Sequence, residues 1–195
     1  MKKGILLVAF VSMISLAFKP AAVEYKVDTQ KSKIEWIGKK VTGEHRGEIK
    51  LASGVLNYNG SSLSGGNFVI NMNSMTVTDL QGEMNGKLLG HLKADDFFGV
   101  DKFAQSKFAI TKVTAAGAGK VNITGNLTIK GITQPVTFPA AVTVKNGVLV
   151  AVANGVKVDR TKYDIKYGSK SFFDSLGDKA INDEFELNIN LVAKK

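Results

Sequence analysis

The chain of 195 residues contains no cysteine. Disulfide staples, thiolate metal sites and a lipoprotein anchor on an N-terminal cysteine are thereby excluded, and the fold has to be stabilised by burial. Histidine is almost as scarce, with only His45 and His91. A Ser-His-Asp triad would have to use one of them, yet neither stands near a serine in a nucleophile-elbow context, and no Gly-x-Ser-x-Gly occurs. Metal binding is similarly starved. His91 with Asp95 and Asp96 supplies nitrogen and oxygen donors, but no second histidine lies close in sequence. The glycines make no phosphate loop, since none leads into Gly-Lys-Ser/Thr. We therefore expect no catalytic group, no metal and no cofactor.

Long hydrophobic runs are also rare. The one clear case, Gly4 to Phe18, follows Lys2 and Lys3, lacks any acidic residue and gives way to the small residues Ala17, Ala21 and Ala22. That order predicts a secretory signal peptide over 1–22, cut after Ala22 or after Ala17. The run falls short of the roughly 20 residues that span a bilayer as a helix. The expected mature chain, 23–195, is one domain, periplasmic or secreted.

Arginine is limited to Arg46 and Arg160 among 26 basic residues, and the net charge is +9. The lysines are scattered singly among Asp, Glu and Asn. That is the pattern of a solvated surface, without the clustered stripe and interleaved aromatics that nucleic acid requires. Attraction to an anionic head group or a transient membrane contact stays open, as does a homodimer.

What the sequence has in abundance is alternation. Apolar residues recur at every second position in Ser32–Ile37, Glu48–Tyr58, Asn67–Val77, Lys107–Thr114, Val121–Ile129, Val136–Val144 and Glu184–Val192, with Glu24–Gln30 as a first strand and Val148–Val158 a long apolar one. Asn59-Gly60 and Asn146-Gly147 are turn signals. Ser53-Gly54 breaks the parity of its strand, as a bulge would, and Asn154-Gly155 marks a bulge, bend or turn. Two segments depart from the period of two. Gln81–Lys93, with Met84, Leu88, Leu89 and Leu92, has helical spacing, and Ser169–Lys179 suits a short helical turn. The pattern predicts an all-β fold, an antiparallel sandwich or barrel, with one or two short helices in connections. Closure into a barrel of about eight strands would hide edges rich in β-branched residues.

Such a barrel can be filled by its own side chains or hold a small ligand. The candidate apolar wall is Trp36, Phe68, Ile70, Met72, Leu89, Phe97, Phe98, Phe108, Phe138, Phe172 and Phe185. Taken singly, such aromatics suit a core as well as a ligand wall. The candidate polar lip is His45, Arg46, His91 and Arg160. A guanidinium offers a planar fork for phosphate or carboxylate, although Asp159-Arg160 also reads as a surface pair or as a structural hydrogen bond to a loop.

Several motifs resemble one family. Tyr25-Lys26-Val27-Asp28 followed by Ser32-Lys33-Ile34 is similar to the opening of the YceI-like, polyisoprenoid-binding family of exported bacterial proteins. Gly90-His91-Leu92-Lys93-Ala94-Asp95-Asp96-Phe97-Phe98 resembles its His-Leu-x-x-x-x-Phe-Phe segment. Gly125-Asn126-Leu127-Thr128-Ile129-Lys130-Gly131-Ile132-Thr133-Gln134-Pro135-Val136 resembles its Gly-x-Leu-Thr-x-x-Gly-x-Thr-x-x-Val signature. Asp159-Arg160-Thr161-Lys162-Tyr163 fits its arginine-containing segment. The resemblance covers the whole expected mature chain. It implies a lipocalin-like antiparallel barrel around an elongated apolar cavity, with an isoprenoid lipid (a quinone or a prenyl phosphate) as ligand and no enzymatic activity. Two departures, Lys31 in place of a frequent histidine and a shorter, more basic Lys39–Gly47 segment, imply a different cavity mouth. Two other readings accompany it: a secreted barrel enzyme with His91 as acid/base, aided by Asp95 or Asp96, and a structural module with a filled core.

Overall fold

The structure, a computed structural model, describes residues 21–195. Apart from Ala21 and Ala22, the expected signal peptide lies outside the described residues. The described residues form nine strands: β1 (Val23–Val27), β2 (Lys33–Lys40), β3 (Gly43–Tyr58), β4 (Leu63–Asn71), β5 (Gln105–Ala115), β6 (Lys120–Ile129), β7 (Ile132–Lys145), β8 (Val148–Asp159) and β9 (Ile181–Lys194). One α-helix, α1 (Gly82–Lys93), lies between β4 and β5.

All pairings are antiparallel, in the order β1-β3-β2-β9-β8-β7-β6-β5-β4, and β4 returns to pair with β3. The sheet is therefore a closed barrel. Its nine strands fill eight positions, because β1 and β2 share one. β1 pairs with the last part of β3 (Val23 opposite Tyr58) and the end of β9 (Lys26 opposite Lys194), whereas β2 pairs with the first part of β3 and the rest of β9. The interruption is local. Asp28 Oδ1 accepts from the backbone N–H groups of Gln30 and Lys31, an Asx-type turn that competes with strand hydrogen bonding. The first strand consequently ends at Val27 rather than Gln30.

Both expected bulges are present, at Leu51/Ser53 against β4 and at Ala153/Val156 against β9. β4 stops at Asn71, short of Val77, because the Asn71 side chain caps a 3-10 turn over Met72–Ser74. The Ser169–Lys179 segment forms only a 3-10 turn, Gly177–Lys179.

The two ends of the barrel differ. At one end, short turns join β3 to β4, β5 to β6 and β7 to β8; Asn146 and Gly147 both take positive φ there, as a type I′ hairpin requires. At the other end, two long connections (72–104, including α1, and 160–180) accompany the short β2–β3 and β6–β7 turns. Tyr25, Leu56, Leu63, Leu149 and Ala193 fill the short-turn end and are almost fully buried. Two glycines inside the sheet are required by close packing. A Cβ on Gly125 would stand 2.3 Å from the Phe108 ring, and one on Gly47 would stand 1.8 Å from the Thr76 carbonyl oxygen and 2.6 Å from the Trp36 indole.

Candidate functional site

The inward faces of the strands enclose a cavity of about 260 Å³. This is just under the usual range for small-ligand sites, about 300–1,000 Å³. Its shape follows from side-chain size. Large apolar residues face it from most of the strands, while β7 and β8, besides Val136, Phe138, Val156 and Val158, contribute Ala140, Ala151 and Ala153. These alanines stand at inward positions where Val, Ile or Phe occur on neighbouring strands, and the missing volume stays open. One wall carries an aromatic row, with Phe68 and Phe108 centroids 6.3 Å apart and Phe108 and Phe138 5.7 Å apart. Leu88 and Leu92 of α1, with Phe98, line it from the long-connection end. Phe98 packs edge-on against Phe185 at 6.2 Å.

Nine of the expected wall residues line this cavity: Trp36, Phe68, Ile70, Met72, Phe97, Phe98, Phe108, Phe138 and Phe185. Two are placed elsewhere. Leu89 packs against the core from the helix side without lining the cavity, because it neighbours Leu88 on a turn whose inward positions are 88 and 92. Phe172 is half exposed, since Ser169–Lys179 leaves the barrel instead of folding inward.

The four expected lip residues have four different environments. His45 lines the cavity mouth, and its Nδ1 lies 2.8 Å from Asp79 Oδ2. The same carboxylate accepts from the Arg46 backbone N–H at 3.0 Å. Burial pushes the Asp79 carboxyl upward, but these hydrogen bonds outweigh it and hold the group below the usual carboxylate range. With Nδ1–H donating to the Asp79 carboxylate, the neutral ring leaves Nε2 as an acceptor, and a charged ring makes it a donor. Arg46 is one residue out of phase with His45. It points outward and pairs with Glu44, so it does not reach the mouth.

Arg160 is buried and lines the cavity, but each of its three guanidinium nitrogens already donates to a backbone carbonyl. Nε donates to the Asn182 carbonyl at 3.0 Å, Nη1 to Ile165 at 2.8 Å and Nη2 to Ile181 at 3.1 Å, with Asp183 Oδ1 3.8 Å away. Burial pulls its pKa below the usual arginine value, against the opposing pull of Asp183 and Asp159. The reading of Asp159-Arg160 as a surface pair is thus corrected, and the reading of Arg160 as a structural hydrogen bond to a loop stands: Asp159 caps the following 3-10 turn through Thr161, and Arg160 holds the Ile165 carbonyl. Arg160 ties the 160–180 connection to β9.

His91 lies outside the cavity. Its Nε2 is 3.0 Å from Asp96 Oδ2, and its ring is flanked edge-on by Phe97 at 4.8 Å and Tyr167 at 4.5 Å. Asp95 pairs with Lys102 at 2.6 Å instead of joining His91. Among the described residues no group of three His, Asp or Glu side chains could hold a metal ion. Sequence reasoning missed Asp79, which stands 34 positions from His45, and the three alanines, which carry no signal beyond alternation.

A family model for the YceI-like domain matches residues 25–193. The protein YceI of Salmonella agona is 30% identical over 148 residues, 72% of either chain. A UPF0312 protein of Vibrio cholerae is 24% identical over 146 residues, 72% of this chain and 74% of its own. Among solved structures, BcnA of Burkholderia cenocepacia superposes with a TM-score of 0.70 at 23% identity, covering 86% of this chain and 99% of that one. A polyisoprenoid binding domain from Saccharophagus degradans, implicated in plant cell wall breakdown, gives 0.62 at 12% identity, covering 87% and 97%. Both structures share the barrel. The chain belongs to the YceI-like family.

Proposed function

We propose that this YceI-like protein is an exported carrier that holds a long-chain isoprenoid lipid in the barrel, with the apolar chain in the cavity and the polar end at His45. The observation that carries this reading is the cavity itself: almost wholly apolar, closed at the short-turn end, and bordered at its mouth by an oriented imidazole whose second nitrogen has no partner among the described residues. Burying an apolar chain there stabilises the complex by about 25 cal/mol per Å² removed from water. The neutral His45 ring accepts from a hydroxyl, as in a quinol, and the charged ring donates to a phosphate or a quinone carbonyl, so both lipid classes suit it. The fold shared with a domain named for polyisoprenoid binding supports the same reading. A carrier is favoured over an enzyme because His91 is held between two aromatic rings outside the cavity, and over a filled module because the interior is open.

The test is mass spectrometry of organic extracts of the protein purified from its native host. An isoprenoid should be present in the wild type and depleted in Ala153→Phe, which fills the cavity from β8 and leaves the fold intact by circular dichroism. Extracts without lipid, together with no stabilisation by added isoprenols or quinones, would sink the proposal.

A further inference from the structure

Exposed large apolar side chains are unevenly distributed over this barrel. Val41, Met84, Tyr167, Phe172 and Phe173 are each between 47% and 60% exposed, and all belong to turns or connections at the long-connection end. At the short-turn end, Val23 alone among the described residues is comparably exposed, at 36%. The five come from three separate segments: the β2–β3 turn, α1 and the 160–180 connection. These segments meet around the cavity mouth. The Val41 N–H donates to the Ala180 carbonyl at 3.3 Å, and a shallow hollow brings Val41 together with Lys170 and Ile181. Ile181, Lys40 and His45 also line the cavity. Met84 sits on the helix whose Leu88 and Leu92 cover the opening.

We infer that this rim is a membrane-docking face, and that its partner is the surface of a phospholipid bilayer, into which Phe172 and Phe173 insert beside the open mouth. The inference rests on the proposed carrier function. Three features favour a bilayer over a protein partner. The exposed apolar side chains belong to the segments that border the cavity opening, and Ile181 lines both the hollow beside Val41 and the cavity itself, so an apolar phase seated there would take up a lipid chain leaving the mouth, whereas a protein would seal it. The Lys166 ammonium lies 5.1 Å from the centre of the Phe172 ring and pairs with Asp164 at 2.7 Å, an amphipathic arrangement that sets an apolar ring beside a charge-paired polar tip. Lys40, Lys170 and Lys179 surround the patch and form no ion pair with any described residue, which leaves them free for lipid phosphates. Asp174 and Asp178 in the same connection partly offset these charges, so insertion of the aromatics, not charge, carries the binding. No helix among the described residues is long and apolar enough to cross a bilayer; the contact is peripheral.

The test is flotation of the mature chain with phosphatidylcholine vesicles, with and without phosphatidylglycerol. The wild type should float with both, with only a modest gain from phosphatidylglycerol and little loss at raised salt. The double variant Phe172→Ser/Phe173→Ser should partition about tenfold more weakly or worse, with an unchanged thermal transition and unchanged lipid in native-host extracts. Val23→Ser, at the opposite end, should float like the wild type. The inference is overturned if the double variant floats normally, if Val23→Ser loses as much, or if the wild type ignores vesicles and instead forms a dimer that the double variant abolishes. A chain that floats but yields no lipid from its host would count against the carrier reading and leave the docking face standing.

Discussion

At the short-turn end of the barrel, Asn59 Oδ1 accepts from the N–H groups of Ser61 and Ser62, Asn146-Gly147 folds a two-residue hairpin, and Leu56, Leu63, Leu149 and Ala193 fill the space between the strands. At the other end the connections are long, none of the large apolar side chains of α1 is fully buried, and the space between the strands is a cavity. The same strands run through both regions, so strand propensity cannot account for the contrast. What differs is how the ends of neighbouring strands are joined and how large the inward side chains are. One end is packed throughout; the other keeps a volume open beside a smaller packed cluster of Phe97, Leu127, Ile129, Val158, Tyr163 and Ile165, and is held in place by specific polar contacts as well.

Arg160 is the most severe way to break that division. If the open end were merely loose, removing one side chain there would matter little. Arg160→Ala would instead leave the carbonyls of Ile165, Ile181 and Asn182 without their donor and Asp183 without its cation, all near a buried position. The expected loss is about 3–5 kcal/mol in chemical denaturation, and Arg160→Lys should recover only a small part of it, since one ammonium cannot serve three divergent carbonyls. A paired comparison comes next in size. Leu149→Ala at the packed end should cost about 2–5 kcal/mol, as expected for a cavity opened in a full core. Phe138→Ala on the cavity wall should cost clearly less than the ~3–5 kcal/mol usual for a packed phenylalanine, because part of its surface already faces empty space. Equal losses at the two sites would show that the interior is packed to the same degree throughout.

The division was legible in the sequence only on one side. Alternation, the two Asn-Gly turns and both bulges follow from the backbone preferences of neighbouring residues, so strands and barrel class could be read directly. Residues such as Phe68, Phe108 and Phe138 could be put on the inward face by parity alone. Hollowness could not, because it depends on Ala140, Ala151 and Ala153 standing at inward positions of adjacent strands, and an alanine in an alternating strand looks like ordinary core. The lip was the least legible part. Arg46 and His45 are adjacent and differ only in which side of β3 they occupy. Arg160 was legible as unusual through its scarcity, but its role depends on carbonyls about twenty positions away. Asp79 joins His45 only because the segment after β4 folds back onto β3, as the Thr78 N–H to Arg46 carbonyl bond of 2.9 Å shows.

The helix over the mouth offers a smaller effect of the opposite sign. Gly86 and Gly90 lie on its outer face, and a Cβ added at either would meet no atom within 4 Å. Gly86→Ala should therefore stabilise α1 by up to about 1 kcal/mol, visible as slower hydrogen exchange of its amides. In a carrier whose cargo passes α1, the same variant should release a fluorescent isoprenoid more slowly with little change in the thermal transition. Faster release would mean that α1 does not lie on the path.

The smallest effect tests whether the mouth is held by Asp79. Its carboxyl is held below the usual range in the folded protein by the Arg46 N–H and the His45 ring, despite burial. A carboxyl with a depressed folded pKa contributes stability that is fully present above its unfolded value, near 4, and is lost as pH falls through the folded value. Asp79→Asn cannot titrate, so it should be less stable than the wild type at neutral pH, by less than about 1 kcal/mol for so accessible a pair, and the difference should shrink as the pH drops below about 4. It should also unfix the His45 tautomer, since an amide can either donate to Nδ1 or accept from it. Isoprenol affinity should then fall even at neutral pH, where the loss of fold stability is too small to explain it. An affinity that follows stability alone across the pH range would make Asp79 a contributor to the fold of the β4–α1 segment and leave His45 to act without it.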